Sequence, residues 1–171
     1  MMLLLAVIYP LAIYGIAQLA SNNGKGETLA VNGKVVGYQK IGQKFDQSGY
    51  FWGRPSTADY NAAASAGSNK GPSNKEYLAL VQKRIDTFLI VHPYLTRSQI
   101  PADIVTASGS GLDPNISPQA ARIQVQRVAK ERKLPTEKVQ QLVESKVSTP
   151  MAFGTETVNV LELNIALDQL K

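Results

Sequence analysis

The chain has no cysteine, and His92 is the single histidine among its 171 residues. Without cysteine there is neither a disulfide framework nor a thiolate metal site. No histidine–carboxylate cluster suggests a transition metal either, so no metal ligand is assigned. Any Ser-His-Asp relay would have to use His92. A lone histidine before Pro93 at a helix end reads instead as a capping or surface residue. Phosphate motifs are missing too: Lys25 and Lys34 each follow a glycine but precede no hydroxyl residue, so there is no P-loop. Gly109-Ser110-Gly111 is not a nucleophile elbow, which needs G-x-S-x-G between strand and helix. No catalytic residue is assigned, and the chain by itself is read as a non-enzyme.

Charge is absent from Met1 to Ala17. At ~1.5 Å per residue, roughly 17–20 residues give about 26–30 Å, near the lower limit for spanning a bilayer core. A cleaved signal peptide wants a basic start and small residues before the cut, whereas this segment has no Lys or Arg and puts Gln18 near the best site. A buried core helix with no polar face would need a larger protein around it. The reading is a transmembrane helix over 1–20 and a domain over 21–171. Pro10 marks a kink or packing site, because it removes a backbone hydrogen bond, and Gly15 permits close approach of another helix. With Lys25, Lys34, Lys40 and Lys44 after the segment and no basic residue before it, charge alone favours a cytoplasmic C-terminal domain.

Titratable groups are also scarce from Tyr50 to Asn74, where Arg54, Asp59 and Lys70 are the charged residues and Trp52 is the only tryptophan of the chain. Nothing in this block titrates near neutral pH, so it cannot run acid–base chemistry. It can present amides, hydroxyls and carboxamides. Trp52, Arg54, Tyr60, Asn61, Ser68 and Asn69 are therefore candidate partner-binding residues, against a plainer reading in which the small residues only make turns. The loop Ser108, Gly109, Ser110, Gly111 with Asp113 is a candidate ligand or partner contact, because successive backbone amides favour an anion or a carboxylate.

Around these blocks the pattern alternates. Asn32-Gly33 between Leu29–Val31 and Lys34–Val36 predicts a hairpin with a type I′ turn. Ser73 with Glu76 reads as a capping box, opening a helix from about Asn74 to Val91 with Leu78, Val81, Ile85, Phe88 and Leu89 inward, ended by His92-Pro93. Ile104–Ala107 reads as a short buried strand. Ser117-Pro118 starts a second helix, buried through Ala121, Val125, Val128 and Ala129. Thr136 caps a third, carried by Val139, Leu142 and Val143. A strand over Thr157–Val160 and a helix over Leu163–Leu170 follow. The order predicts a mixed α/β (α+β) domain.

FWGRPS at 51–56, YNAAAS and GSN and GPSN across 60–74, VTASGSGLDP at 105–114 and VNVLELN at 158–164 resemble, in that order, the C subunit of the bacterial Kdp potassium-transporting P-type ATPase (the KdpC family). The resemblance implies a single-pass protein of the bacterial inner (cell) membrane with its C-terminal domain on the outer face, opposite to the charge-based orientation. It also implies a start truncated relative to the family, and three partners: a channel-like potassium-binding subunit, an ATP-hydrolysing pump subunit and a small fourth subunit. The implied role is that of an accessory and assembly subunit, a catalytic chaperone raising the pump's affinity for ATP. ATP is thus implied by the family, but an outer-face domain does not reach cytoplasmic ATP, and no tightly bound cofactor is expected. The Asp-Lys-Thr-Gly-Thr phosphorylation motif is absent, so this is not the pump subunit. A charge of +5 disfavours a potassium collector unless acids such as Asp103 or Asp113 are unscreened.

One alternative comes from another class. Residues 118–146 outline a basic helix-turn-helix, as a membrane-independent DNA-binding protein would carry. Alternating Lys, Glu and Arg are also the ordinary pattern of a solvated helix face.

Overall fold

A computed structural model describes residues 1–149 and 154–170. The chain divides into two compact units, Met1–Tyr38 and Gln39–Lys171.

In the first unit, helix α1 (Tyr9–Ala17) continues directly from a π turn, Leu4–Ile8. The turn sits where Pro10 removes a donor from the four-residue ladder, and Tyr9 N–H reaches back five residues to the Leu4 carbonyl. Helical residues run over 2–17, about 24 Å at ~1.5 Å per residue, short of the ~30 Å hydrocarbon core. Among the described residues no helix is long and apolar enough to cross a membrane. Strands β1 (Thr28–Val31) and β2 (Lys34–Tyr38) pair antiparallel. Asn32 and Gly33 between them both have positive φ, 51° and 76°, the type I′ geometry expected from the dipeptide.

The second unit opens with a long irregular segment and then α2 (Lys75–Val91). After a loop come β3 (Asn115–Ile116), α3 (Pro118–Arg122), α4 (Val125–Arg132), α5 (Thr136–Ser145), β4 (Val147–Ser148), β5 (Thr157–Asn159) and α6 (Val160–Gln169). The sheet order is β3-β5-β4, all antiparallel, with Ile116 opposite Val158 and Val147 opposite Val158. Two small sheets with packed helices make the mixed α/β class. Val128 of α4, Val139 and Val143 of α5, Val158 of β5, and Leu163 of α6 are completely buried. Full burial of such side chains stabilises by ~1.5–3 kcal/mol each.

Several local expectations need correction. The cap of α2 is Asn74, whose carboxamide accepts from Tyr77 N–H at 2.9 Å, one residue after Ser73; Glu76 instead meets Lys70 at 3.5 Å. On α2 only Phe88 is buried, and Leu78 remains exposed. Segment 104–107 is not a strand. A 3-10 turn at Ala102–Ile104 leads into it, and Thr106 N–H and Oγ1–H both return to the Ala102 carbonyl. Ser117 caps α3 as expected, accepting from Ala120 N–H, but the helix breaks at Ile123–Gln124 before α4. Pro135, not Thr136, occupies the cap of α5. Asn159 caps α6, which begins three residues before the expected Leu163.

Candidate functional site

The segment Phe51–Trp52 pairs with no strand among the described residues. Two buried carboxamides take the strand's place. Asn164 of α6 accepts from Phe51 N–H at 2.9 Å and donates to Phe51 C=O at 3.0 Å. Gln124, before α4, accepts from Trp52 N–H at 2.8 Å and donates to Trp52 C=O at 3.1 Å. Asn164 on α6 thus holds Phe51, and Gln124 at the α3–α4 junction holds Trp52. Gln124 also donates to the Ala120 carbonyl of α3 at 3.0 Å.

Trp52 is half-buried, with its indole N–H donating to Gln47 C=O at 2.9 Å. The Arg127 guanidinium lies over its ring, 4.3 Å from the centroid, a cation–π contact. Arg127 Nε donates to His92 Nε2 at 2.9 Å, its Nη2 to Gln124 at 2.8 Å, and its Nη1 to the Ser48 carbonyl. His92 is completely buried, which corrects the surface half of the sequence reading. It stacks on Phe88 at 3.9 Å and meets Trp52 and Tyr94 edge-on. It does stand at the C-cap of α2, with both its N–H and Nδ1 directed at the Phe88 carbonyl. Burial pulls the imidazole down to about 4, and burial likewise draws the Arg127 guanidinium down to about 10.

From this anchor the polar block folds onto the loop at 105–113. Arg54 Nη1 meets Asp113 at 3.0 Å with both side chains mostly buried, and Asp113 also accepts from Asn115 N–H at 3.0 Å. The Arg54 Nε–H is buried without an acceptor among the described residues. Tyr60 O–H donates to Arg54 C=O at 2.6 Å, and Tyr60 N–H donates to Ser56 Oγ at 2.9 Å. Burial, then the Asp113 charge, pushes the Tyr60 phenol up to about 12. Ser56 Oγ–H donates to Gly111 C=O at 2.7 Å, and Ser65 Oγ–H to Ser110 C=O at 2.9 Å. Gly67 and Gly111 permit the contact: a Cβ at Gly67 would stand 2.7 Å from the Gly109 carbonyl oxygen, and one at Gly111 2.8 Å from that of Ala66.

The structure therefore brings the two sequence-selected groups together. Trp52, Arg54 and Tyr60 face inward on their own domain, whereas Asn61 and Asn69 are exposed. Asn61 Oδ1 accepts from Ala63 N–H at 3.0 Å at the start of a 3-10 turn, Ala62–Ala64. Ser68 lines a cavity of about 430 Å³ with Ser56, Lys70, Glu76, Tyr77, Leu80 and Arg84. In the second group, Ser108 N–H donates to Pro55 C=O, Gly111 N–H to Ser108 Oγ, and Leu112 N–H to Ser110 Oγ. These amides are engaged in holding the loop rather than facing an anion. Asp103 accepts from Ser117 N–H and Oγ–H, and Asp113 from Arg54, so both carboxylates have local partners.

Sequence reading missed Gln124, Asn164 and Arg127. A signal was present for Asn164, which shares its face of α6 with Val160, Leu161 and Leu167, but carboxamides also occupy solvated faces, and Arg127, spaced with Gln124, Lys130 and Glu131, reads as a solvated position. The same arginines remove the support for a DNA-reading helix pair. Arg127 is buried, Arg132 is tied to Gly49 C=O and Asp168 at 2.7 Å each, and Arg122 holds Glu144 through two bonds of 2.8 and 2.7 Å.

Comparison with known proteins agrees with the motif blocks. The family described as KdpC: K+-transporting ATPase, c chain, matches residues 1–169. The chain is similar to the potassium-transporting ATPase KdpC subunit of Flavobacterium johnsoniae, 76% identical over 99% of this chain and 92% of that protein. It is 56% identical to the KdpC subunit of Bacteroides fragilis over 97% of this chain and 90% of the relative. With the KdpC subunit of Caldanaerobacter subterraneus subsp. tengcongensis it shares 48% identity over 97% of this chain and 88% of the other. With a match over nearly its full length and relatives at such identity, this chain belongs to the KdpC family of K+-transporting ATPase c chains.

Proposed function

We propose that the chain is the accessory and assembly subunit of an ATP-driven potassium uptake system, supporting complex formation and raising the pump subunit's affinity for ATP. Its partners in this reading are the channel-like potassium-binding subunit, the P-type pump subunit and the small fourth subunit. The observation that carries the assembly role is a strained, internally hydrogen-bonded polar block with an exposed rim and no chemistry of its own. Asp59, Tyr60 and Asn69 all hold positive φ, at 48°, 60° and 52°. Such conformations in non-glycine residues cost roughly 1–3 kcal/mol each and persist where the surroundings over-determine them. Here Arg54, Ser56, Asp113 and the 108–111 loop do so. The rim at 61–66 is exposed and already ordered, which lowers the entropy lost on docking.

The N-terminal helix supports a place in the bacterial inner membrane. Residues 1–16 are exposed on every face of the helix, and a continuous apolar surface of that kind calls for lipid or partner helices as cover. A single pass over 1–20 with the domain on the outer face is the topology of this reading. Binding at an outer surface then biases the pump between conformations. Couplings of ~1–3 kcal/mol change an apparent affinity about 5- to 150-fold without a shared site. Direct nucleotide contact has little support from a loop in which the Ser108, Gly111 and Leu112 amides already donate to the Pro55 carbonyl and to serine hydroxyls.

The test places Arg at Ala63, on the exposed rim. The variant should keep its melting temperature, while partner subunits recovered with a C-terminally tagged chain fall at least tenfold (about 1.4 kcal/mol). The ATP concentration needed for half-maximal potassium-stimulated hydrolysis should rise. Normal assembly and unchanged ATP dependence in both Ala63→Arg and Asn61→Ala would remove the rim as the contact surface. Calorimetry on the isolated chain checks the nucleotide part: micromolar, saturable ATP binding lost in Ser110→Ala would establish direct recognition instead.

A further inference from the structure

We propose that His92 and Arg127 form an acid-released latch: a proton on His92 drives the Arg127 guanidinium off the Trp52 ring and into the adjoining cavity beside Glu131, loosening the segment that leads into the polar block. The inference stands on this chain's own geometry and does not require the assembly role.

The pair admits one protonation state. Arginine has donors and no acceptor, so His92 Nε2, 2.9 Å from Arg127 Nε, must offer its lone pair. The ring hydrogen therefore sits on Nδ1 and is donated to the Phe88 carbonyl at 2.8 Å. The only place for a second proton is Nε2, where it would face an arginine N–H. Two donors and two positive charges would then share a contact between groups only 0% and 4% exposed, an arrangement that a buried site does not support.

One of the two must move, and packing selects which. His92 is stacked on Phe88 and enclosed by Trp52 and Tyr94. Arg127 instead borders a cavity of about 400 Å³, lined also by Ser48, Tyr94, Gln126, Lys130 and Glu131. The charged and titratable groups around the pair are few. Helix α4 brings Lys130 and Glu131, and the latter accepts from Ser48 Oγ–H at 3.2 Å. The turn after α2 brings Tyr94, whose O–H donates to Ile123 C=O and accepts from Arg127 N–H. Helix α2 contributes the Phe88 ring, and segment 47–52 the Trp52 ring and the Ser48 carbonyl. Glu131 is thus the anion available to a displaced guanidinium. Displacement removes the cation from Trp52 and the donors from Ser48 C=O and Gln124, leaving Trp52 held by the carboxamide clamp, its indole bond to Gln47 C=O and its ring contacts with Phe88 and His92. Burial keeps His92 neutral at ordinary pH, with its titration lowered to about 4, so the latch is shut at neutrality and opens in acid.

Trp52 is the only tryptophan and reports the event directly. In the full chain in detergent, its emission should shift in a one-proton transition with its midpoint at about 4, spread over roughly one pH unit on either side, with the far-UV dichroism unchanged. Nitrogen NMR of the single histidine should show the Nδ1–H tautomer at pH 7 and a titration with the same midpoint. His92→Gln should abolish the transition. The same transition in His92→Gln, an Nε2–H tautomer at neutral pH, or loss of emission and helical signal together at one midpoint would each overturn the latch. If His92→Gln does not fold, the tautomer and the matching midpoints in the unaltered protein decide.

Discussion

Asn164 pairs with Phe51 through both ends of its carboxamide, at 2.9 and 3.0 Å, although the two residues lie 113 positions apart. Phe51 is completely buried and Asn164 nearly so, so the contact replaces a strand neighbour inside the core. Truncation in Asn164→Ala leaves a buried N–H and a buried C=O unpaired, each costing ~1–3 kcal/mol. The expected loss is about 2–4 kcal/mol in denaturant unfolding. A loss under ~0.5 kcal/mol would mean that segment 51–52 finds other partners.

Lys133 ends α4 in the left-handed region at φ 55°, while Leu134 N–H returns to the Ala129 carbonyl at 2.9 Å. A glycine at such a helix end avoids the steric cost of a Cβ. Lys133→Gly should therefore raise stability by ~0.5–1 kcal/mol, less the unfolded-state entropy of the new glycine. Thermal melts at equal pH and salt measure it, and a clear loss would contradict the strain account.

His92 sets a pH dependence of stability whose sign follows from its depressed titration. Between about 6.5 and about 4 the unfolded chain binds a proton on His92 and the folded chain does not. Stability is therefore fully present above that window. It falls by up to ~1.4 kcal/mol per pH unit as acid is added, and the His92 contribution levels off below it. Comparing urea midpoints of the unaltered protein and His92→Gln from pH 7.5 to 4 isolates this histidine from the carboxylates. The difference between them should change by roughly 3 kcal/mol across the window.

For the anchor, the expected cost of Ile13→Arg is ~2.5–3.5 kcal/mol on insertion scales. Ile13 is in α1 and 48% exposed. Membrane recovery of the variant should drop sharply, with the dichroism of the second unit preserved. Undiminished recovery would point to attachment through partners and not through this helix.

Local chemistry makes much of this molecule legible from its residues alone. Asn32-Gly33 dictates its turn because the demand for positive φ lies within the dipeptide. The apolar faces of α4 and α5 follow from spacing, since Val125, Val128, Val139 and Val143 stand where a 3.6-residue period puts them. The motif blocks carry the family. The cap of α2 slips by one residue because adjacent Ser73 and Asn74 compete for the same terminal amides and Asn74 takes Tyr77 N–H, whereas Pro135 stands at the cap of α5 with no side-chain cap bond. Segment 104–107 reads as a strand because buried Ile104 and Val105 suit either state, and its backbone bonds are completed by a 3-10 turn. The helix 2–17 ends where the uncharged apolar run meets the polar Gln18.

The sequence by itself determined the chain's family, its mixed class and the polar block without acid–base groups, because these depend on residue types and short spacings. Only the tertiary structure decided what the polar residues do. That Gln124 and Asn164 serve as strand partners, that Arg54 answers Asp113, and that Arg127 closes over Trp52 and His92 all depend on contacts between residues 35 to 113 positions apart. Side-chain hydrogen bonding is satisfied by whatever folding brings within about 3 Å, and no local pattern encodes that.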